Sequence, residues 1–188
     1  MTFTRTCLRV AALCCLALLL SREHGAAQPL SQSDFTVTTV YLVRHAEKAA
    51  APAADPPLLE AGSKRAEELA RTLSKANIKT IFTSQALRTK LTAEPLAKQL
   101  GLTAKVVPVS MSKTNPRELS PEYLKSMAEQ AASAPGNVLI VGHSNTVPEI
   151  IKALGGDVVP TIDETVFDDL FVVTVYAKGK AKVAHLKQ

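Results

Sequence analysis

The sequence predicts an α/β domain in which a mostly parallel β-sheet is covered by helices on both faces. Short segments rich in β-branched and aliphatic residues alternate along the chain with longer segments whose apolar residues recur at helical spacing. This alternation gives the order β-α-β-α-β-α-β-α-β-β, and such an order is typical of parallel sheets with helical crossovers. In open sheets of this class, ligands bind outside the carboxyl ends of the strands.

The first half of the domain contains two strands and two helices. Residues 37–43 (VTTVYLV) are β-branched and aromatic, which favours a strand, and residues 79–83 form a second, shorter one. Residues 58–77 place their apolar side chains on one face, which is typical of a surface helix. Residues 86–100 form the next helix, in which Pro95 predicts a kink or a break.

The second half follows the same rules and ends in a hairpin. Residues 105–109 form a strand, and a polar loop leads to a helix over 121–133 that opens with a proline. The continuous apolar run 137–141 (NVLIV) indicates a strand buried on both faces. A short helix over 147–154 ends at two glycines. The hairpin strands are residues 170–177 and 180–186.

Residues 1–27 have the layout of a secretory signal peptide. Two arginines precede an 11-residue apolar run over residues 10–20, and small residues end the segment at Ala27. A spanning helix needs roughly 20 residues, so we expect cleavage after Ala27, a secreted or periplasmic location, and membrane contact only before cleavage. An uncleaved anchor is the alternative. Residues 28–36 form a short polar tail before the domain, residues 37–188.

Composition supports one folded domain and excludes several function classes. The chain has 188 residues, of which 46% are hydrophobic and 21% charged, with a net charge of +5. Removing the three arginines and one glutamate of the leader leaves 19 basic and 16 acidic side chains, which is too mild a balance to predict nucleic-acid binding. All three cysteines lie in the leader, so the domain has no disulfide and no thiolate chemistry.

Basic side chains follow three of the predicted strands. Arg44 and His45 follow the first strand, Arg88 comes shortly after the second, and His143 follows the fourth. Because parallel strands end at one edge of a sheet, we expect these side chains to gather there. Arginines fork onto phosphate oxygens, and a neutral imidazole is a competent nucleophile towards phosphorus. The sequence therefore predicts an anion pocket that contains a nucleophile.

Three motifs resemble a known family. The segments Tyr41–Glu47 (YLVRHAE), Leu87–Ala97 (LRTKLTAEPLA) and Val141–Ser144 (VGHS) are similar to the signature strand, the second arginine motif and the second histidine motif of the histidine phosphatase superfamily, first branch, the phosphoglycerate-mutase-like group. The motifs occur in the family's order, and the resemblance extends over about residues 38–177. The chain is most similar to the small, phosphohistidine-phosphatase-like members.

The resemblance implies a three-layer α/β/α sandwich and a metal-independent phosphatase that needs no cofactor. His45 would attack phosphorus and become a phosphohistidine that water hydrolyses. Arg44, Arg88 and His143 would hold the phosphoryl oxygens. Apart from the resemblance, the position of Lys48 after the first strand indicates a solvated rim, with a contribution to specificity at the pocket mouth as the alternative. The substrate would be a phosphomonoester or a phosphoramidate, carried by a small molecule or by a phosphorylated protein.

The chain departs from the family pattern at several places, among them the signature and the general acid. Ala46 stands where the family usually has glycine, a small change. The general acid has no matching motif, and the candidates are Glu118 and, after it, Glu122. The acidic cluster over residues 163–169 is interpreted as a solvated loop before the hairpin, with a possible role in orienting a pocket residue.

Three alternatives remain open from the sequence. A catalytically silent domain of the same fold would bind a phosphorylated ligand without turnover. A metallohydrolase would use His45, Glu47 and His143, although two nearby arginines would repel a cation. A phosphomutase would use the same pocket, but a cytosolic metabolic substrate fits poorly with export. The sequence leaves the oligomeric state open.

Overall fold

A computed structural model describes residues 37–188, so the predicted leader and tail lie outside the described residues. The elements follow the predicted order. The strands are β1 Thr38–Arg44, β2 Ile78–Thr83, β3 Lys105–Val106, β4 Asn137–Gly142, β5 Asp169–Ala177 and β6 Lys180–Lys187. The helices are α1 Glu60–Leu73, α2 Leu87–Leu100, α3 Pro121–Ala132 and α4 Thr146–Ala153.

The six strands form one mixed sheet in the order β3-β2-β4-β1-β5-β6. The four strands from β3 to β1 pair in parallel, whereas β5 pairs antiparallel with both β1 and β6. The hairpin therefore extends a parallel sheet, and β1 lies near its centre. The predicted fold class, a three-layer α/β/α sandwich with a mostly parallel sheet, is confirmed.

Two apolar clusters cover the two faces of the sheet. On one face, Leu69 of α1 and Leu96 of α2 pack with Val43 and Leu139 of the central strands. On the other face, Met127 of α3 and Ile150 of α4 pack over the same strands. The adjacent central strands β1 and β4 contribute to both clusters, which explains why they read as continuous apolar runs.

Several element bounds differ from the predicted ones for local reasons. Helix α1 begins two residues late because the Leu59 N–H donates to the Glu47 carbonyl, and it ends early because Asn77 turns the chain with a φ of 51°. Strand β3 has only two paired residues: the Val107 N–H still donates to the Thr83 carbonyl, but the Val109 N–H donates to the Gln85 side chain in place of a β2 carbonyl. The predicted break at Pro95 is wrong, because α2 continues through it with Thr92, Ala93, Leu96 and Ala97 buried.

A close backbone approach fixes the turn that follows β1. A Cβ atom added to Gly62 of α1 would lie 2.3 Å from the Glu47 carbonyl oxygen. The Glu47 carboxylate also accepts two hydrogen bonds from Arg65 Nε, each of 3.0 Å, and one from Arg65 Nη2. Helix α1 therefore holds the chain directly after His45.

No helix within residues 37–188 has the length and apolar character needed to cross a membrane.

Candidate active site

Two neighbouring parallel strands deliver the two histidines to one edge of the sheet. Arg44 of β1 is in register with Gly142 of β4, and the His45 N–H donates to the Gly142 carbonyl over 2.9 Å. The ladder thus continues into the first histidine. The His45 and His143 rings lie 5.4 Å apart, centroid to centroid, with their planes at 67°. The predicted meeting of these side chains is present in the structure.

Backbone bonding sets the tautomer of His45. Its Nδ1 lies 2.8 Å from the Ala46 carbonyl oxygen. Because a carbonyl only accepts, Nδ1 carries the proton and Nε2 carries the lone pair. Burial, followed by the positive charges of Arg88 and Arg44, lowers the pKa of His45 to about 4. The ring is therefore neutral at pH 7, as a nucleophile requires.

His143 has protein partners on both ring nitrogens. Nε2 lies 2.9 Å from Ser84 Oγ, and Nδ1 lies 3.4 Å from Nη2 of Arg88. Since arginine only donates, Nδ1 accepts and Nε2 donates to the serine. The backbone N–H of His143 donates to Thr146 Oγ1 over 2.8 Å, which ties the backbone of this residue to the start of α4. Burial and then the charge of Arg88 lower the pKa of His143 to about 4.

Arg88 projects from the first turn of α2. Thr92, one turn later, links this helix to the residue after His45: it accepts from the Ala46 N–H over 3.0 Å and donates to the Arg88 carbonyl over 2.7 Å. Asp55, from the loop before α1, accepts from the Leu87 N–H at 2.8 Å, and its carboxylate lies 4.0 Å from Arg88 Nη1. The predicted arginine is thus positioned from both sides.

Arg44 is buried and bonded to the segment that precedes β5. Its Nη1 donates to the carbonyls of Asp163 and Val166 at 2.9 and 3.0 Å, and its Nη2 donates to the Glu164 carboxylate. The guanidinium also lies 4.2 Å from the centroid of the Phe167 ring. Burial lowers the Arg44 pKa, and the charge of Glu164 partly opposes that shift. Arg44, which the sequence predicts to bind phosphate, is therefore already hydrogen-bonded to other residues of the chain.

A cavity of about 300 Å³ opens at this edge of the sheet. Four of the predicted site residues line it, namely His45, Lys48, Arg88 and His143. Arg44 does not line the cavity. Ser84 does not line it either, but it is hydrogen-bonded to His143, which does. A larger, mainly apolar cavity of about 820 Å³ lies between α3, α4 and the turn of the hairpin, and it contains neither histidine nor arginine. The chemistry therefore belongs to the smaller cavity.

Glu164 lines the cavity and was not among the predicted site residues. Its carboxylate accepts from Ser144 Oγ as well as from Arg44, and these contacts, the serine bond foremost, lower its pKa. Of the two readings of its loop, solvation and a role in orienting a pocket residue, the bonds to Arg44 and Ser144 favour the second at this position. The sequence did offer one signal for this residue: its loop lies between the last helix and the strand β5 that follows it.

The two general-acid candidates do not reach the cavity. Glu118 is exposed and accepts a hydrogen bond of 2.8 Å from Asn115 Nδ2. Glu122 accepts from Ser120 Oγ, the residue that caps α3. The metallohydrolase alternative also lacks its carboxylate, since Glu47 pairs with Arg65. Within residues 37–188 no three metal-binding side chains cluster.

Comparisons with known proteins bear on the family and the fold. Residues 40–109 match the sequence model of the histidine phosphatase superfamily (branch 1). No curated protein matches the sequence. The fold is similar to that of the protein histidine phosphatase SixA complexed with tungstate, with 19% identity, a TM-score of 0.59, and coverage of 79% of this chain and 96% of that one.

Two further solved structures share the fold. Phosphoglycerate mutase from Bacillus anthracis str. Sterne has 19% identity and a TM-score of 0.59, with 81% of this chain and 94% of that chain covered. A mycobacterial glucosyl-3-phosphoglycerate phosphatase has 15% identity and a TM-score of 0.58, with coverage of 81% and 98%. At these identities the comparisons establish the fold and leave the activity to the site itself.

Proposed function

We propose that this chain is a phosphatase with His45 as its nucleophile. The match of residues 40–109 to the histidine phosphatase superfamily (branch 1) is the premise of this proposal. The chain hydrolyses a phosphomonoester or a phosphoramidate through a phosphohistidine intermediate. The observation that carries the proposal is the state of His45. Its proton is held on Nδ1 by the Ala46 carbonyl, and its pKa of about 4 keeps the Nε2 lone pair available.

The surrounding positive charge suits a phosphoryl group. Arg88 and Lys48 line the same cavity as His45, and His143 lies across from it. Guanidinium donors bind phosphoryl oxygens in a fork and stabilise the charge that develops during transfer. Burial of the histidines strengthens these interactions, because less water screens them. No step of this scheme requires a metal ion.

The reaction proceeds in two displacements. In the first, the Nε2 lone pair of His45 forms a bond to phosphorus, and the bond from phosphorus to the leaving oxygen or nitrogen breaks with its electron pair. The leaving group then takes a proton from water. In the second, a water molecule attacks phosphorus, the P–N bond returns its electrons to Nε2, and the water proton passes to solvent. Inorganic phosphate and a neutral His45 result.

The leaving group is one that departs without a strong acid. The carboxyl group that lines the cavity is Glu164, and its lowered pKa keeps it ionised at neutral pH. Glu118 and Glu122, the acids considered from the sequence, are bonded elsewhere. Phosphoramidates and esters of acidic alcohols meet this requirement, on a small molecule or on a protein. The leader-like residues 1–27 support an exported enzyme that meets its substrate outside the cytoplasm.

Rapid-quench labelling tests the proposal. The purified full chain is mixed with a panel of ³²P-labelled aryl phosphates, alkyl phosphates, acyl phosphates and phosphoramidates. Free phosphate and acid-labile, base-stable label on the protein are followed together. His45→Gln is the test variant. His185→Gln is the matched control, because His185 lies on β6 and bonds to Asp169, outside the cavity.

We expect label and phosphate release in the wild type and in His185→Gln, and neither in His45→Gln. Phosphate release without protein label, or release that survives in His45→Gln, would contradict the mechanism. A folded wild type that binds phosphorylated compounds but neither labels nor releases phosphate would instead support the silent binding domain.

A further inference from the structure

We propose that Glu164 is an internal competitor of the substrate. In the unliganded protein its carboxylate occupies one arm of the Arg44 fork, which a phosphoryl group takes over on binding. This proposal rests on the proposed function, since it concerns the anion seat of the same cavity. Under this proposal, Glu164 sets the affinity of the cavity for a phosphoryl group.

The bonding of Arg44 leaves one fork incomplete. Both hydrogens of Nη1 have acceptors, the carbonyls of Asp163 and Val166. On the other side, Nη2 and Nε point in the same direction and form the fork that binds two oxygens at once. Nη2 donates to Glu164, whereas the buried Nε has no hydrogen-bond partner among the described residues. An unpaired buried donor is costly, so this fork favours a better ligand.

Glu164 connects the cavity to Arg44. It is one of the residues that line the cavity, Arg44 is not, and the Arg44 guanidinium donates to the Glu164 carboxylate. The Glu164 side chain is 73% exposed, whereas that of Arg44 is 3% exposed. Glu164 can therefore turn into solvent without leaving a buried charge of its own. The backbone carbonyls on Nη1 do not move with it, so Arg44 remains anchored while its fork changes ligand.

A phosphoryl group is the better ligand for this fork. It presents two oxygens with the spacing that Nη2 and Nε require, and it carries more negative charge than a carboxylate. Asp55 offers a contrast at the second arginine: its carboxylate lies 4.0 Å from Nη1 of Arg88 and makes its close bond to a backbone N–H. Competition at Arg44 is therefore direct, whereas at Arg88 it is weak.

Calorimetric titration with inorganic phosphate tests the proposal without requiring turnover. Glu164→Gln keeps the shape of the side chain and removes its charge. We expect it to bind phosphate about twofold to fivefold more tightly than the wild type, as loss of a charged competitor at a largely exposed site implies. Ser144→Ala, which removes the bond that holds Glu164, is expected to change affinity in the same direction by a smaller factor.

Glu149→Gln is the matched control, because it removes the same charge from an exposed position on α4. We expect its phosphate affinity to equal that of the wild type. Unchanged or weaker phosphate binding by folded Glu164→Gln would overturn the proposal, as would the absence of binding to both proteins. Labelling of His45 is measured separately, so a failure of the competitor proposal is distinguishable from a failure of the phosphatase proposal.

Discussion

Lowering the pH from 7 to 5 is expected to leave the nucleophile almost fully active. Burial and the nearby positive charges lower the pKa of His45 to about 4. At pH 5 such a ring is about 10% protonated, whereas a ring with the ordinary value of about 6.5 is about 97% protonated. In the proposed mechanism the rate of His45 phosphorylation is proportional to the neutral fraction, so we expect it to be about 30-fold higher at pH 5 than an unperturbed histidine would allow.

The assay is a histidine titration by two-bond ¹H–¹⁵N NMR, which reports the pKa and the tautomer of each ring. The His45 signals are assigned by their loss in His45→Gln. We expect a midpoint near pH 4 and, above it, a proton on Nδ1 with Nε2 bare. A midpoint at or above pH 6, or a neutral form protonated on Nε2, would refute the reasoning from burial and from the Ala46 carbonyl.

The same shift fixes the direction of a stability change. The unfolded chain takes up a proton on each histidine as the pH falls through about 6.5, whereas the folded rings of His45 and His143 resist until about 4. The unfolded state therefore binds more protons in this window, and the free energy of unfolding falls as the pH falls from about 6.5 to 4. Urea denaturation at fixed pH values measures this slope.

Three further predictions concern single features of the fold and the site. Gly62→Ala is expected to lower the free energy of unfolding by about 1–3 kcal/mol, because its new Cβ would lie 2.3 Å from the Glu47 carbonyl oxygen; an unchanged urea midpoint would contradict this close approach. Ser84→Ala removes the partner of His143 Nε2 and is expected to reduce kcat/KM by about tenfold with the fold retained, as the loss of one hydrogen bond implies. Dialysis against a metal chelator is expected to leave phosphatase activity unchanged, and a loss that added metal reverses would favour the metallohydrolase.

The fold could be predicted because its determinants are local. The apolar runs of β1 and β4 and the periodic faces of α1 and α2 each follow from a few neighbouring residues. The errors are also local, and each lies where a single residue competes with the pattern. Strand β3 ends early where the Val109 N–H donates to the Gln85 side chain, whereas Pro95 is accommodated because the buried face of α2 stabilises the helix around it.

The site could be predicted only in part, because some of its contacts follow from the pairing of neighbouring strands whereas others join residues far apart in the sequence. His45 and His143 follow strands that pair in register, so the strand pattern alone brings them together. The contact between Arg44 and Glu164 joins positions 120 residues apart. It forms because β5 adds antiparallel beside β1, and no spacing in the sequence encodes that choice of edge.

The reversed direction of β5 has a consequence for how this site can be altered. A parallel strand sends the segment that follows it to the catalytic edge, but β5 sends the segment that precedes it, residues 157–168. That segment lies between α4 and the hairpin and supplies none of the ladder that aligns the two histidines. Side chains at its exposed positions can therefore be changed to alter the rim of the cavity without touching the pairing of β1 with β4, provided that the Asp163 and Val166 carbonyls that bind the buried Arg44 stay in place.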